Sequence, residues 1–230
     1  MNGKPVYLDI GCGNGNRALE WLDGNIDAHA FCFDPLDECY TAAKKIAPQT
    51  KIKQLVRMHP VHAAITANTP LFGGSAKFYC ANDRSSCSLL PFADRNSIKK
   101  WLYPPGRLYF KTISTITVPT MRMDKFLMDR RIDQIIFCRI ETQGTSLDVL
   151  KSFGKRINNV MEFAIKVHVT DFDLYKGQTH KDELVSFMNS HGFIVYKTRK
   201  WSRDQEEVIW FVNKKAHKSP RLRHFDLHDN

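Results

Sequence analysis

Residues Val6–Leu22, reading Val-Tyr-Leu-Asp-Ile-Gly-Cys-Gly-Asn-Gly-Asn-Arg-Ala-Leu-Glu-Trp-Leu, constrain this chain more than any other stretch. Val6, Tyr7 and Leu8 form a short β-capable apolar run; Asp9 follows, then Gly11, Gly13 and Gly15, after which Ala18, Leu19 and Leu22 recur at helical spacing. That order predicts a strand, a tight glycine loop and a helix. Glycines in such a loop let backbone amides approach a ligand with no Cβ in the way, and the N-terminus of the helix offers unpaired N–H groups to polar or anionic atoms. A dinucleotide fingerprint would read Gly-x-Gly-x-x-Gly from Gly11. Here that third glycine position is Asn16, and a glycine arrives one residue early.

Ala28–Asp34 (Ala-His-Ala-Phe-Cys-Phe-Asp) is a second apolar run, and it ends in an acid. Asp34 lies 19 residues after Gly15, where a doubly wound fold places the carboxylate that grips ribose hydroxyls. An acid that merely caps the turn before Pro35 would look the same, and NAD enzymes share the device. The glycine spacing separates the nucleotides: Asp-x-Gly-x-Gly-x-Gly resembles the first motif of S-adenosylmethionine (SAM) dependent methyltransferases. The resemblance implies SAM as cofactor and S-adenosylhomocysteine as product, with Asp9, Gly11, Gly13, Gly15 and Asp34 at the binding site.

The 230 residues are enough for one well-buried α/β domain. No apolar run approaches the ~20 residues that span a bilayer, and the N-terminus does not read as a signal peptide, so a cytoplasmic protein is expected. Cys12, Cys32, Cys39, Cys80, Cys87 and Cys138 include no Cys-x-x-Cys pair, which suits reduced core thiols better than a metal site or a disulfide framework. The net charge of +10 fits either a polyanionic partner such as RNA or a solvated surface. The densest basic run, Lys214–His224, lies in a tail with little apolar periodicity. The expected organisation is one domain over residues 1–213 and a flexible basic tail over 214–230.

Further along, a helix is expected over Pro35–Ile46, a third strand region over Lys53–Thr66 and another strand over Ala76–Asp83. Ser85–Pro119 reads as long and irregular, with Trp101, Tyr103 and Tyr109 clustered in it. Met123–Phe153 reads as a short helix, a buried strand, a polar turn at Glu141–Gly144 and a helix from near Ser146. A strand over Val160–Thr170, an amphipathic helix over Lys181–Phe193 closed by Gly192, and a last strand over Glu207–Lys214 complete the pattern. The fold expected is a doubly wound, Rossmann-like sheet of the class I methyltransferase kind, mainly parallel with an antiparallel edge. Ligands of such sheets bind outside the carboxyl ends of the strands, which brings Arg139, Glu141 and Gln143 forward.

From Met121 to Phe153 the chain resembles the FkbM family of SAM-dependent O-methyltransferases. Asp124, Ile132-Asp133, Glu141, Gln143-Gly144 and Val149-Leu150 fall in the family's order, with Asp34-Pro35, His62–Ile65, Arg84–Leu89 and a terminal strand pair as further matches. The last-named stretches bring Ala63 into the implied cofactor site. The resemblance runs from about Val6 to Val212. Two departures stand out: Arg139-Ile140-Glu141 replaces a common Lys-x-Asp, and Lys166 stands where a Glu is common.

The resemblance implies transfer of a methyl group to a hydroxyl, often of a sugar or glycan. Glu141 is the candidate general base, or the group that orients one, with Arg139 beside it; the rival reading is a plain ion pair of the two. His168 is the second candidate, because an imidazole suits proton transfer, although a lone strand histidine is more often structural. Trp101, Tyr103 and Gln143 are candidates for the acceptor wall. An RNA methyltransferase is the alternative that +10 favours, yet no RNA-binding module is recognisable, so nucleic acid is the weaker partner; a catalytically inactive SAM-binding module is the third reading. Only Met1–Pro5 precede the first strand, whereas many methyltransferases carry helices there. A domain from a longer polypeptide, beside a glycosyltransferase domain, is therefore one expectation and a compact enzyme the other.

Overall fold

A computed structural model of the chain describes residues 4–52, 55–94, 110–202 and 204–215. The opening motif folds as read: β1 (Val6–Ile10), a glycine loop, then α1 (Asn16–Asp23). There follow β2 (His29–Asp34), α2 (Asp37–Ile46), β3 (Met58–His62), β4 (Ala64–Ile65), β5 (Gly74–Ala81) and β6 (Thr112–Met121). The second half runs α3 (Met123–Arg130), β7 (Ile135–Ile140), α4 (Ser146–Lys151), β8 (Val160–His168), α5 (Lys181–Ser190), β9 (Phe193–Trp201) and β10 (Glu206–Asn213).

Among the described residues, a seven-stranded sheet has the order β3-β2-β1-β7-β8-β10-β9. Its first five strands pair in parallel, and β10 is antiparallel to both β8 and β9. Strand alternation sorts the core onto two faces. Val6, Leu8, Ile10, Phe31 and Phe33 face one cluster, closed by Phe126 and Leu127 of α3, Leu150 of α4 and Leu184 and Met188 of α5. Tyr7, Ala30, Cys32, Phe137, Ala164 and Trp210 face the other, closed by Ala18, Trp21 and Leu22 of α1 and Ala43 of α2. Helices on both faces make the sheet doubly wound, with its first crossover reversed between β1 and β7 so that a crevice opens at their carboxyl ends.

Three expectations need correction. The strand region over Lys53–Thr66 is two strands in two sheets: the chain leaves β3 at His62, and β4 joins a three-stranded sheet of order β4-β6-β5. The stretch taken as irregular holds β6, ten residues rich in Thr, Ile and Val. Its residues are mostly exposed, so the in-out alternation that marks a half-buried strand is absent, and Pro119 reads as a breaker. The helix after β2 starts at Asp37, not Pro35, because Leu36 stays extended. β10 ends at Asn213 and Lys214 and Lys215 form a turn; the rest of the basic tail lies outside the described residues. No helix among the described residues is long and apolar enough to cross a membrane.

Candidate active site

The glycine loop is built by backbone conformation. Gly11, Gly13 and Gly15 have φ of 80°, 57° and 82°, in the left-handed region that side chains with a Cβ disfavour. A Cβ on Gly11 would collide with the carbonyl oxygen of Glu141, and one on Gly15 with the Met58 methyl, whereas one on Gly13 would meet nothing within 4 Å. Gly11 and Gly15 thus serve close packing of the loop against β7 and α2. Gly13 borders open space, and its amide donates to Asp34 Oδ2 at 2.9 Å.

That space is a cavity of about 380 Å³, within the size range of small-molecule sites. Gly11, Gly13, Asp34 and Ala63 line one part of it, and Arg139, Glu141, Thr142 and Gln143 line another. Asp34 is buried, and its Oδ1 accepts from the Leu36 amide at 3.0 Å. Burial, only partly offset by these two amides and by the Cys39 thiol, pushes its carboxyl up to about 6. Each oxygen keeps acceptor capacity for a further donor. A carboxylate so fixed, a loop amide edge without a Cβ and the cavity volume together fit a nucleoside with a polar tail.

At the other end, side chains from four strands or their ends form a chain of charges. Asp9, fully buried, accepts from Arg139 Nη1 at 2.8 Å; Arg139 Nη2 pairs with Glu141. Lys166 Nζ lies 2.7 Å from Glu141 Oε1 and 3.3 Å from Glu206 Oε1. The register explains the assembly, since Asp9 is opposite Arg139, and Val208 opposite Lys166. Burial opposes the Arg139 cation most strongly of any single cause, yet Asp9 together with Tyr7 and Cys12 outweighs it and raises its pKa. Burial lowers the pKa of Lys166 despite Glu206. Burial would raise Glu206, but Lys166 and His168 bring it below its ordinary value.

The cavity therefore gathers Gly11, Gly13, Asp34, Ala63, Arg139, Glu141 and Gln143, and leaves three of the expected residues outside its lining. Asp9 sits beneath it and anchors Arg139. Gly15 caps α1 and packs on Met58 and Ala43. His168 is buried to 3% exposure, with Nε2 3.5 Å from Glu206 and its ring against Tyr175. Burial holds its pKa down to about 4, so near neutral pH its ring is uncharged, and it lies outside the cavity lining. Gln143 has φ of 50°, its carbonyl accepts from Ser88 at 2.7 Å and its Oε1 from the Tyr175 hydroxyl at 3.3 Å. Trp101 and Tyr103 lie outside the described residues. Sequence reasoning missed Cys12, Arg17, Leu36, Cys39 and Thr145, all lining the cavity, and Glu206. Cys12 and Arg17 carried a signal by lying within or just after the glycine motif, and Leu36 and Cys39 by following Asp34 closely in sequence.

The FkbM methyltransferase domain matches residues 7–195. The 2-O-methyltransferase NoeI of Sinorhizobium fredii (strain NBRC 101917 / NGR234) is 26% identical over 178 residues, which are 76% of this chain and 67% of that protein. Among solved structures, an FkbM methyltransferase from Methylobacillus flagellatus KT aligns with a TM-score of 0.56 at 11% identity over 91% of this chain, which spans only 43% of that one. TrmK of M. capricolum, in complex with S-adenosylhomocysteine, aligns with a TM-score of 0.50 at 12% identity over 93% of this chain and 64% of its own. These two similarities establish the Rossmann-like class I methyltransferase fold. With the domain matching across most of its length, the chain belongs to the FkbM family of SAM-dependent methyltransferases.

Proposed function

We propose that the protein transfers a methyl group from SAM to a hydroxyl of a sugar or glycan. The observation that carries this reading is one cavity lined by the Gly13–Asp34 pair and by Glu141. Bound there, SAM would supply a methyl group on a sulfonium, already a good leaving group. Asp34 would accept from the ribose hydroxyls, and the loop amides would border the nucleoside. Arg139 and Lys166 hold Glu141 from both sides, so its carboxylate is fixed without freedom to swing. Such a group can orient an acceptor hydroxyl by taking its hydrogen bond and receive its proton as the new C–O bond forms. Of the two candidate bases, Glu141 is favoured because it lines the cavity and His168 does not. The O-methyltransferase NoeI, at 26% identity, supports oxygen as the atom methylated.

A second reading, a SAM-binding module without transfer, is favoured by the same ion pairs, since both Glu141 oxygens are already engaged. Calorimetric titration with SAM, S-adenosylhomocysteine and NAD tests the cofactor half, and methyl transfer from radiolabelled SAM to a panel of pyranosides tests the rest. Binding of the adenosyl ligands with transfer is expected. Binding without transfer to any hydroxyl acceptor would select the second reading, and binding of NAD alone would sink both.

A further inference from the structure

A second cavity, of about 390 Å³, adjoins the first and shares Leu89 and Thr145 with it. The partition is the turn after β7. Gln143 of that turn lines the first cavity and Gly144 the second. The turn is pinned from the far side: its Gly144 carbonyl accepts from the Thr179 amide at 2.7 Å, and the Leu147 amide donates to Thr179 Oγ1 at 3.1 Å. A Cβ on Gly144, at φ 86°, would press on Gln178, Tyr175 and Leu90 at 3.2–3.4 Å. The wall between the cavities is thus rigid except where Leu89 and Thr145 border both.

The second cavity has a fixed polar wall. Asp148, on α4, takes hydrogen bonds from Thr66 Oγ1, from the Ala67 amide at 3.3 Å and from Asn68 Nδ2 at 3.0 Å. Its carboxylate is oriented in advance and retains lone pairs. Gln178, 3% exposed, spends Oε1 on the Leu174 and Tyr175 amides at 3.0 and 3.1 Å, while its Nε2 has no partner among the described residues. Lys77 and Lys151 are matched by Asp148 and Glu183, and Leu89, Leu90 and Leu147 add aliphatic surface. Balanced charge with interleaved donors, acceptors and C–H-covering surface suits a neutral polyhydroxylated ring. A polyanion would meet two carboxylates for its two lysines.

We propose that this second cavity is the acceptor subsite and holds a neutral pyranose, from which a hydroxyl enters the first cavity past Leu89 and Thr145. The proposal rests on the O-methyltransferase reading for what happens to that hydroxyl, but the sugar site itself can be tested apart from it. The probes are methyl pyranosides of gluco, galacto and manno configuration, added to the ¹⁵N-labelled full chain loaded with S-adenosylhomocysteine, with inorganic phosphate as the rival ligand. At least one glycoside should shift the Gly144, Gly177 and Thr179 amides saturably, with phosphate leaving them in place. The exposed changes Lys151→Met and Glu183→Gln should each weaken that glycoside at least fivefold in Kd, or in KM where methyl is transferred, with affinity for S-adenosylhomocysteine unchanged within twofold. Transfer with KM unmoved by both variants overturns the subsite and leaves the O-methyltransferase reading standing. Saturable shifts without transfer support the subsite and count against that reading. No glycoside response, or displacement of the same amides by phosphate alone, overturns the proposal.

Discussion

At the glycine loop the ligand-facing atoms are placed by backbone conformations within five residues, Gly11–Gly15, and one carboxylate at the end of the neighbouring strand. At the carboxyl ends of β1, β7 and β8 and the amino end of the antiparallel β10 they are placed by five charged side chains, Asp9, Arg139, Glu141, Lys166 and Glu206, drawn from positions far apart in the chain. The first region tolerates little change at any glycine yet depends on few partners. The second can exchange residue types while conserving alternation of charge, because each member is held by the next. In this chain the result is a carboxylate at the cavity, Glu141, flanked by the cations Arg139 and Lys166.

The contrast can be broken experimentally at either end. The largest effect is expected from Glu141→Gln, which keeps the shape but removes the proton acceptor: turnover should fall by ~10²–10⁴ with SAM affinity unchanged within threefold, measured by methyl transfer and calorimetry. Equal loss of both would mean that Glu141 serves the cofactor. Next, Asp34→Ala removes two charge-assisted hydrogen bonds to ribose and should weaken SAM by at least ~100-fold; a smaller loss would move the ribose elsewhere. Lys166→Met leaves Glu141 with Arg139 alone and takes the cation from buried Glu206, and should cost ~3–5 kcal/mol of stability, read by denaturant unfolding, while Lys166→Arg should recover most of it.

A smaller effect is expected from pH. On the proposed binding mode the ribose hydroxyls donate to an ionised Asp34, whose carboxyl is pushed up to about 6 in the free protein. Donors from a bound ligand favour that ionised form, so binding releases a proton and affinity rises with pH up to about 6, then levels. Below about 6, Kd should worsen by up to ~10-fold per pH unit, and the break should vanish in Asp34→Asn. The smallest effect is expected from His168→Gln, with turnover within threefold of the parent. His168 is held neutral by burial, with a pKa near 4 against 6.5 when unfolded, so the folded state binds fewer protons between those values. Its contribution therefore makes stability fall as pH drops from 6.5 towards 4, and the variant should flatten that slope in thermal unfolding. A hundredfold loss of turnover would return His168 to the candidate bases.

The opening unit was legible because period, turn chemistry and the carboxylate after β2 are all local features, and the alternation of apolar runs with amphipathic helices carried the sheet as far as its antiparallel edge. β6 was not legible: its side chains stay mostly exposed, so no burial pattern marks it, and its partner β5 lies far back in the chain. The partner of Asp9 was not legible for a related reason. The position of Asp9 in the motif points to the cofactor, but only the parallel register of β1 and β7 shows that it faces Arg139. The packing of Gly15 on Met58, which leaves no room for a Cβ, is likewise visible only in the structure.

By itself the sequence determined the doubly wound architecture and the end of the sheet at which ligands bind, since hydrophobic period and glycine spacing act over a few residues and need no knowledge of distant partners. Only the tertiary structure decided which acids and bases meet. The contact of Lys166 with Glu206 depends on strand order and register, and a register shift of one residue would turn those side chains to the opposite face.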